Sequence, residues 1–185
     1  MKNIFDFIII ILLILFISTE CYAPNLYENE DEYFENKLIE YEKAKANIKK
    51  LKLLSIIDND LIIYTKKMAD LYKIDFYLIL AVMKAESGGA KNAVSKCGAI
   101  GLMQIMPILG IDYGYTKNEL FNPYINIKIG VMQLSYLINK YKSVRIALMC
   151  YLCGETFVYK NFNRACVISK DYINKINNYL GGNYI

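Results

Sequence analysis

Residues 76–107 read FYLILAVMKAESGGAKNAVSKCGAIGLMQIMP, and the fold turns on how this stretch is divided. The run from Phe76 to Ala85 is apolar except for Lys84 and holds no glycine or proline. It predicts a helix over Phe76–Ser87, with Asp75 as N-cap and Ile79, Leu80, Val82 and Met83 on its inner face. Gly88-Gly89 stops it. A loop then leads to Gly98–Met106, which reads as a second, short apolar helix ended by Pro107. Glu86 is thereby an ionisable group one turn beyond a buried face. Loss of water around a carboxyl disfavours its charged form, and the negative end of a helix dipole acts in the same direction. A carboxyl that still holds its proton near neutrality can hand it to a leaving oxygen, as a glycosidase acid must. An ordinary exposed glutamate at a helix end is the plain alternative.

Outward from this stretch the pattern is helix after helix. Leu61–Tyr72, Tyr124–Tyr141, Val144–Cys153 and Ser169–Leu180 carry apolar residues at helical spacing, and Gly154 and Gly181-Gly182 end the last two. Residues 108–123 read as an irregular connection, with Gly110, Gly114 and Asn122-Pro123 as turn signals. Tyr27–Leu54 is rich in Glu, Lys, Ala and Leu and predicts a polar helix with a broken apolar stripe of Leu38, Tyr41, Ile48 and Leu51. No alternating strand of useful length is visible. A chain of 185 residues that is 55% hydrophobic supplies the core of one mostly α domain.

The first residues read as a targeting segment. Phe7–Ile17 is an unbroken apolar run of 11 residues behind Lys2, shorter than the roughly 20 that a membrane span needs. Cys21-Tyr22-Ala23 offers a cleavage site after Ala23. An uncut anchor and a lipidated Cys21 are the alternatives, the second disfavoured by Glu20 beside it. The expected organisation is a signal peptide over 1–23, a helical accessory segment over 24–60 and a catalytic domain over 61–180. Export to the periplasm or cell envelope follows.

Charge and composition remove several kinds of chemistry. The net charge of +4 divides into nine acidic against six basic residues over 24–60, and seven against 15 over 61–185. A cationic exported domain suits polyanions such as the cell wall or lipid headgroups, although a merely soluble basic surface fits the charge equally well. No aromatic-and-basic interleaving suggests nucleic acid. There is no histidine, which excludes Ser-His and Cys-His nucleophilic sites and the H-E-x-x-H zinc proteases.

Taken in order, Glu86-Ser87, Asn92–Ser95, Gly98–Pro107, Leu120–Pro123 with Asn126-Ile127 and Gly130, Ala147–Gly154 and Lys170–Ile173 resemble the family 1 lytic transglycosylases. The Gly98–Pro107 block matches that family's Gly-Leu-Met-Gln motif nearly letter for letter. The resemblance spans roughly residues 61–180 and implies a lysozyme-like helical domain. It further implies cleavage of the β-1,4 bond between N-acetylmuramic acid and N-acetylglucosamine with formation of 1,6-anhydro ends. By the same resemblance Glu86 is the single catalytic acid/base. Ser87, Gln104 and Tyr151 bind the sugars or hold Glu86, and Met103 lines the cleft. Leu152 stands where the family usually has Asn, and Glu155-Thr156 where it has Pro-Gly, so altered sugar binding is expected beside Tyr151.

No metal and no cofactor is expected. Cys97, Cys150, Cys153 and Cys166 follow the cleavage site, and their expected role is packing or one structural bridge; a zinc site would lack a second close cysteine pair. The expected partner is the peptidoglycan glycan strand, with a membrane or secretion complex open as a further associate. Two other readings remain: a goose-type lysozyme-like muramidase that uses water, and a non-catalytic peptidoglycan-binding scaffold.

Overall fold

The computed structural model describes residues 30–182 and Ile185, with side chains from Glu35 onward. Residues 1–23, read above as a signal peptide, lie outside the described residues. The described elements are helices α1 (Glu30–Leu54), α2 (Asn59–Tyr72), α3 (Phe76–Glu86), α4 (Pro107–Asp112), α5 (Pro123–Tyr141), α6 (Val144–Cys153), α7 (Glu155–Lys160) and α8 (Phe162–Leu180), with a single 3₁₀ turn at Glu119–Phe121. The mostly α expectation holds, and among the described residues pairing of β type is confined to two isolated bridges.

The described residues separate into two compact units, divided after Tyr41. The segment expected as accessory over 24–60 is therefore divided, because Leu53 and Ile57 belong to the core of the second unit. Of the apolar stripe read on α1, Leu38, Tyr41 and Leu51 are exposed and Ile48 is partly covered.

Within the second unit, α3 is the central rod. Leu78 to Met83 are six consecutive buried residues, which is how a helix apolar on every side must sit. The Asp75 carboxylate accepts from the Leu78 N–H at 3.0 Å and fixes its start. Helix α3 packs on α2 and α8, α5 packs on α2 and α6, and α8 closes against α6. Helix α5 begins with Pro123 in the first turn behind the Asn122 cap, and Ser143 caps α6 through the Ile146 N–H.

Three expectations need correction. Gly98–Met106 is not a helix, and Pro107 opens α4 instead of closing one. Gly98 and Gly101 have φ of +86° and +79°, and Gln104 has +48°; such left-handed residues interrupt any right-handed helix. The segment folds back on itself through antiparallel bridges Val94–Ile100 and Ile100–Ile105. The connection over 108–123 contains α4 and the 3₁₀ turn. Helix α8 starts at Phe162, seven residues before Ser169, and α7 precedes it, the two separated by the non-helical Asn161 (φ −138°, ψ 47°).

Candidate active site at the end of α3

Glu86 is the last residue of α3, and Ser87 caps the helix by donating its N–H to the Met83 carbonyl. The buried run behind Glu86 brings the carboxyl to the edge of the core, where it is partly covered. Tyr172 of α8 donates its hydroxyl to Glu86 Oε1 at 2.6 Å. Lys84, two residues back on α3, stands 4.7 Å from the Tyr179 ring of α8, a second contact between the end of α3 and α8.

The electrostatics of Glu86 are a contest between burial and its neighbours. Burial pushes its carboxyl above the ordinary value; the Tyr172 hydrogen bond and the Lys175 charge pull it down, and burial prevails. The result is a carboxyl biased toward its protonated form. Tyr172 and Tyr151 are both pushed well above the usual tyrosine range, by burial first and then by the Glu86 charge. Both phenols are therefore neutral donors.

The loop expected to form the cleft is built from backbone and held by Asn126. This asparagine, fully buried on α5, accepts from the Met103 N–H at 2.8 Å. It donates to the carbonyls of Ile100 at 2.8 Å and Leu120 at 3.0 Å. Gly101 is required at this crossing: a Cβ there would lie 2.3 Å from the Asn126 Nδ2. Ser87 Oγ joins α3 to the same loop, donating to the Leu102 carbonyl at 2.8 Å and accepting from the Gly89 N–H.

The other expected site residues also bond to this loop, and among the described residues none of them bonds to Glu86. Gln104 donates through Nε2 to the carbonyls of Gly101 and Ala93. Tyr151 donates its hydroxyl to the Met103 carbonyl at 2.9 Å. The Met103 side chain is fully buried and lies against Gly130, where a Cβ would be 2.3 Å from its sulfur. Met103 thus reaches the site through its backbone carbonyl. Leu152, at the family's Asn position, is exposed and offers only an apolar surface beside Tyr151.

Tyr172 and Asn126 complete the site although neither was expected in it. Each lay inside a quoted motif. Their signal was a hydrogen-bonding side chain in an otherwise apolar helical stripe, which must find a partner once buried. The cysteines Cys97, Cys150, Cys153 and Cys166 are all free thiols.

The sequence pattern of the Transglycosylase SLT domain matches residues 63–174. The chain is 33% identical over 135 residues to a protein named membrane-bound lytic murein transglycosylase E of Buchnera aphidicola subsp. Acyrthosiphon pisum, covering 64% of this chain and 58% of that one. It is 36% identical over 129 residues to membrane-bound lytic murein transglycosylase C of Histophilus somni, covering 60% of this chain and 35% of that one. The chain thus spans less than two thirds of the length of either relative. The fold is also similar to the lytic transglycosylase Slt of Pseudomonas aeruginosa, solved as an inactive mutant, with a TM-score of 0.54 and 23% identity over 63% of this chain and 22% of that one. With its pattern matched over more than half its length, this chain belongs to the Transglycosylase SLT domain family.

Proposed function

We propose that this chain is a peptidoglycan lytic transglycosylase that cleaves the β-1,4 bond between N-acetylmuramic acid and N-acetylglucosamine, with Glu86 as its one catalytic carboxylate. The observation that carries the reading is the partly buried Glu86, biased toward its protonated form at the end of α3 and bonded by Tyr172 at 2.6 Å through Oε1. Among the described residues Oε2 has no hydrogen-bond partner, so it can face a substrate oxygen.

The chemistry then needs one group in two states. Protonated Glu86 gives its proton to the glycosidic oxygen as the bond to C1 breaks. The resulting carboxylate accepts the proton of the muramyl C6 hydroxyl, whose oxygen bonds to C1 of the same sugar. An anhydro ring forms, no water is consumed, and Glu86 returns to its starting state. An attacking group tethered within the substrate brings a high effective concentration, which removes the need for a second carboxylate to activate water. Tyr172 lowers the cost of the ionised intermediate state through its charge-assisted bond. Neutral Tyr151, Gln104 and Ser87 hold the loop against which the sugars would lie.

The relatives' names and the apolar run at Phe7–Ile17 support a site of action in the cell envelope. Mass spectrometry of purified murein digested by the chain tests the reaction. Muropeptides lacking one water at the muramyl end are expected; reducing termini alone would assign the chain to hydrolysis in the manner of a muramidase, and no release would leave a binding scaffold.

A further inference from the structure

Between residues 43 and 57 the chain holds five lysines, Lys43, Lys45, Lys49, Lys50 and Lys52, and no acidic residue. All five lie on the second half of α1, within the second compact unit. The acids that flank the run are engaged: Glu42 pairs with Lys45 at 3.3 Å, and Asp58 pairs with Lys91. Lys43, Lys49 and Lys52 have no carboxylate within ion-pair distance among the described residues. Along α1, Lys43, Asn47, Lys50 and Leu54 recur at helical spacing, which keeps them within an arc of about 60°. That face borders a groove. Leu54 lines it together with Ile62 and Ile63 of α2 and Phe76 and Tyr77 of α3, and its volume is about 600 Å³, within the size range of ligand pockets. Lys50 Nζ stands 5.1 Å from the centre of the Tyr77 ring, which places a cation at the groove wall. Lys66 and Asp75 are the charged residues of the lining; Lys66 pairs with Asp70, and the Asp75 carboxylate accepts from the Leu78 N–H. Ile63 and Leu51, the latter one turn before Leu54, are large aliphatic side chains left 69% and 63% exposed.

We propose that this groove and the lysines beside it form a docking site for anionic phospholipid at a bilayer surface. Charge complementarity selects the occupant. A cluster of four to eight basic residues on one helix is drawn to the negative surface potential of anionic lipid, and five lysines without an intervening acid meet that condition. The groove supplies what charge alone lacks. Leu54, Ile62, Ile63 and Phe76 give acyl chains an apolar seat, and Tyr77 suits the level between chains and headgroups, where amphipathic rings collect. A soluble inorganic anion uses the lysines and leaves the groove empty; an anionic bilayer uses both.

The site is set apart from Glu86. Phe76 begins α3 and Glu86 ends it, a separation of about 15 Å at 1.5 Å per residue. Lipid held at the start of α3 leaves the Glu86 end directed away from the bilayer. The lipid site stands by itself. Only the use of this orientation, which presents Glu86 to a wall beyond the membrane surface, rests on the reading of the chain as a peptidoglycan enzyme.

The chain has no tryptophan, so Ile63→Trp in the full chain supplies a single fluorophore at the groove. Tyr159→Trp, at a position 89% exposed on α7, supplies the control. Each is titrated with vesicles of phosphatidylglycerol and phosphatidylethanolamine and with vesicles of phosphatidylcholine, with and without a spin label on the acyl chains. The Ile63→Trp emission is expected to shift to the blue and to be quenched by the spin-labelled anionic vesicles. Neutral vesicles, and the Tyr159→Trp control, are expected to show neither effect. Adding Lys43→Gln and Lys50→Gln weakens the apparent affinity roughly 25-fold, because each lysine near an anionic surface contributes about fivefold. Raised salt weakens it too. The apolar run at Phe7–Ile17 is common to every variant and cancels in these comparisons. An unresponsive Ile63→Trp, equal quenching on neutral vesicles, or quenching indifferent to the two lysines would overturn the site. A blue shift that grows with protein concentration without vesicles would assign the groove to a second copy and overturn it as well. No murein enters this assay, so the two readings fail separately. Anhydro ends without quenching remove only the lipid site, and quenching without anhydro ends removes only the reaction.

Discussion

Replacing Tyr172 by Phe removes one hydroxyl and little volume, and its effect should depend on pH in a direction fixed by Glu86. The lost bond is the 2.6 Å donation to Glu86 Oε1. Such a bond contributes about 1.5–3 kcal/mol when the acceptor is charged and about 0.5–1.5 kcal/mol when it is neutral. It therefore favours ionised Glu86 over protonated Glu86 by roughly 1 kcal/mol. Without it Glu86 holds its proton to higher pH, and the alkaline limb of kcat/KM, which reports the acid of the free enzyme, moves upward. Stability shifts in the same sense. At alkaline pH, where the wild-type carboxyl is ionised, the variant loses about 1.5–3 kcal/mol, equivalent to a Tm lower by roughly 3–12 °C. At acid pH the loss shrinks to about 0.5–1.5 kcal/mol. Scanning calorimetry across pH, paired with pH–rate profiles, measures both. A Tm gap that stays constant with pH, or an alkaline limb that moves down, would refute the reasoning.

Other perturbations have equally definite outcomes. Because burial raises the Glu86 pKa in the fold, its contribution to stability is greatest at low pH and is lost as pH rises from the unfolded value through the folded one. Glu86→Gln should accordingly melt above the wild type at alkaline pH and level with it at acid pH; a gap that widens toward acid pH would contradict the sign. Asn126→Ala leaves the Met103 N–H and two carbonyls without partners in the core, a loss of about 3 kcal/mol or more that denaturant titration would read. Gly101→Ala must place a Cβ 2.3 Å from Asn126 at a φ of +79°. It should cost at least about 1–2 kcal/mol from the backbone alone and disturb turnover; a wild-type Tm would show that the loop gives way freely. Reductant should leave Tm unchanged because the four described cysteines are free, and a drop would reveal a bridge.

Much of the fold was legible because its helices are strongly patterned and capped. Val144–Cys153 lies between a serine cap and Gly154, and the structure has those bounds. Phe76–Glu86 is apolar all round and is buried accordingly. The failure at Gly98–Met106 has a physical cause: its apolar residues face the core from a chain that reverses at left-handed residues, so composition resembled a helix while the backbone could not form one. The stripe of α1 shows the limit of spacing alone: Leu38, Tyr41 and Leu51 are exposed while Ile48 is partly covered, and apolar spacing does not say which residue finds a partner. Glu86 was legible from its place behind a buried run. Its partner was not, because Tyr172 lies 86 residues away along the chain. Only the packing of α8 on α3 brings them together.

In the proposed reaction Glu86 alone performs the acid and base steps. The measurement that tests it most directly is turnover of purified murein by Glu86→Gln, with strand binding determined on the same preparation. The variant keeps the side-chain shape and the acceptor for Tyr172 but has no proton to give. Full binding is expected, with release of anhydro-muropeptides abolished. Lysis at the wild-type rate by the folded variant would contradict it and move the catalytic role to another residue.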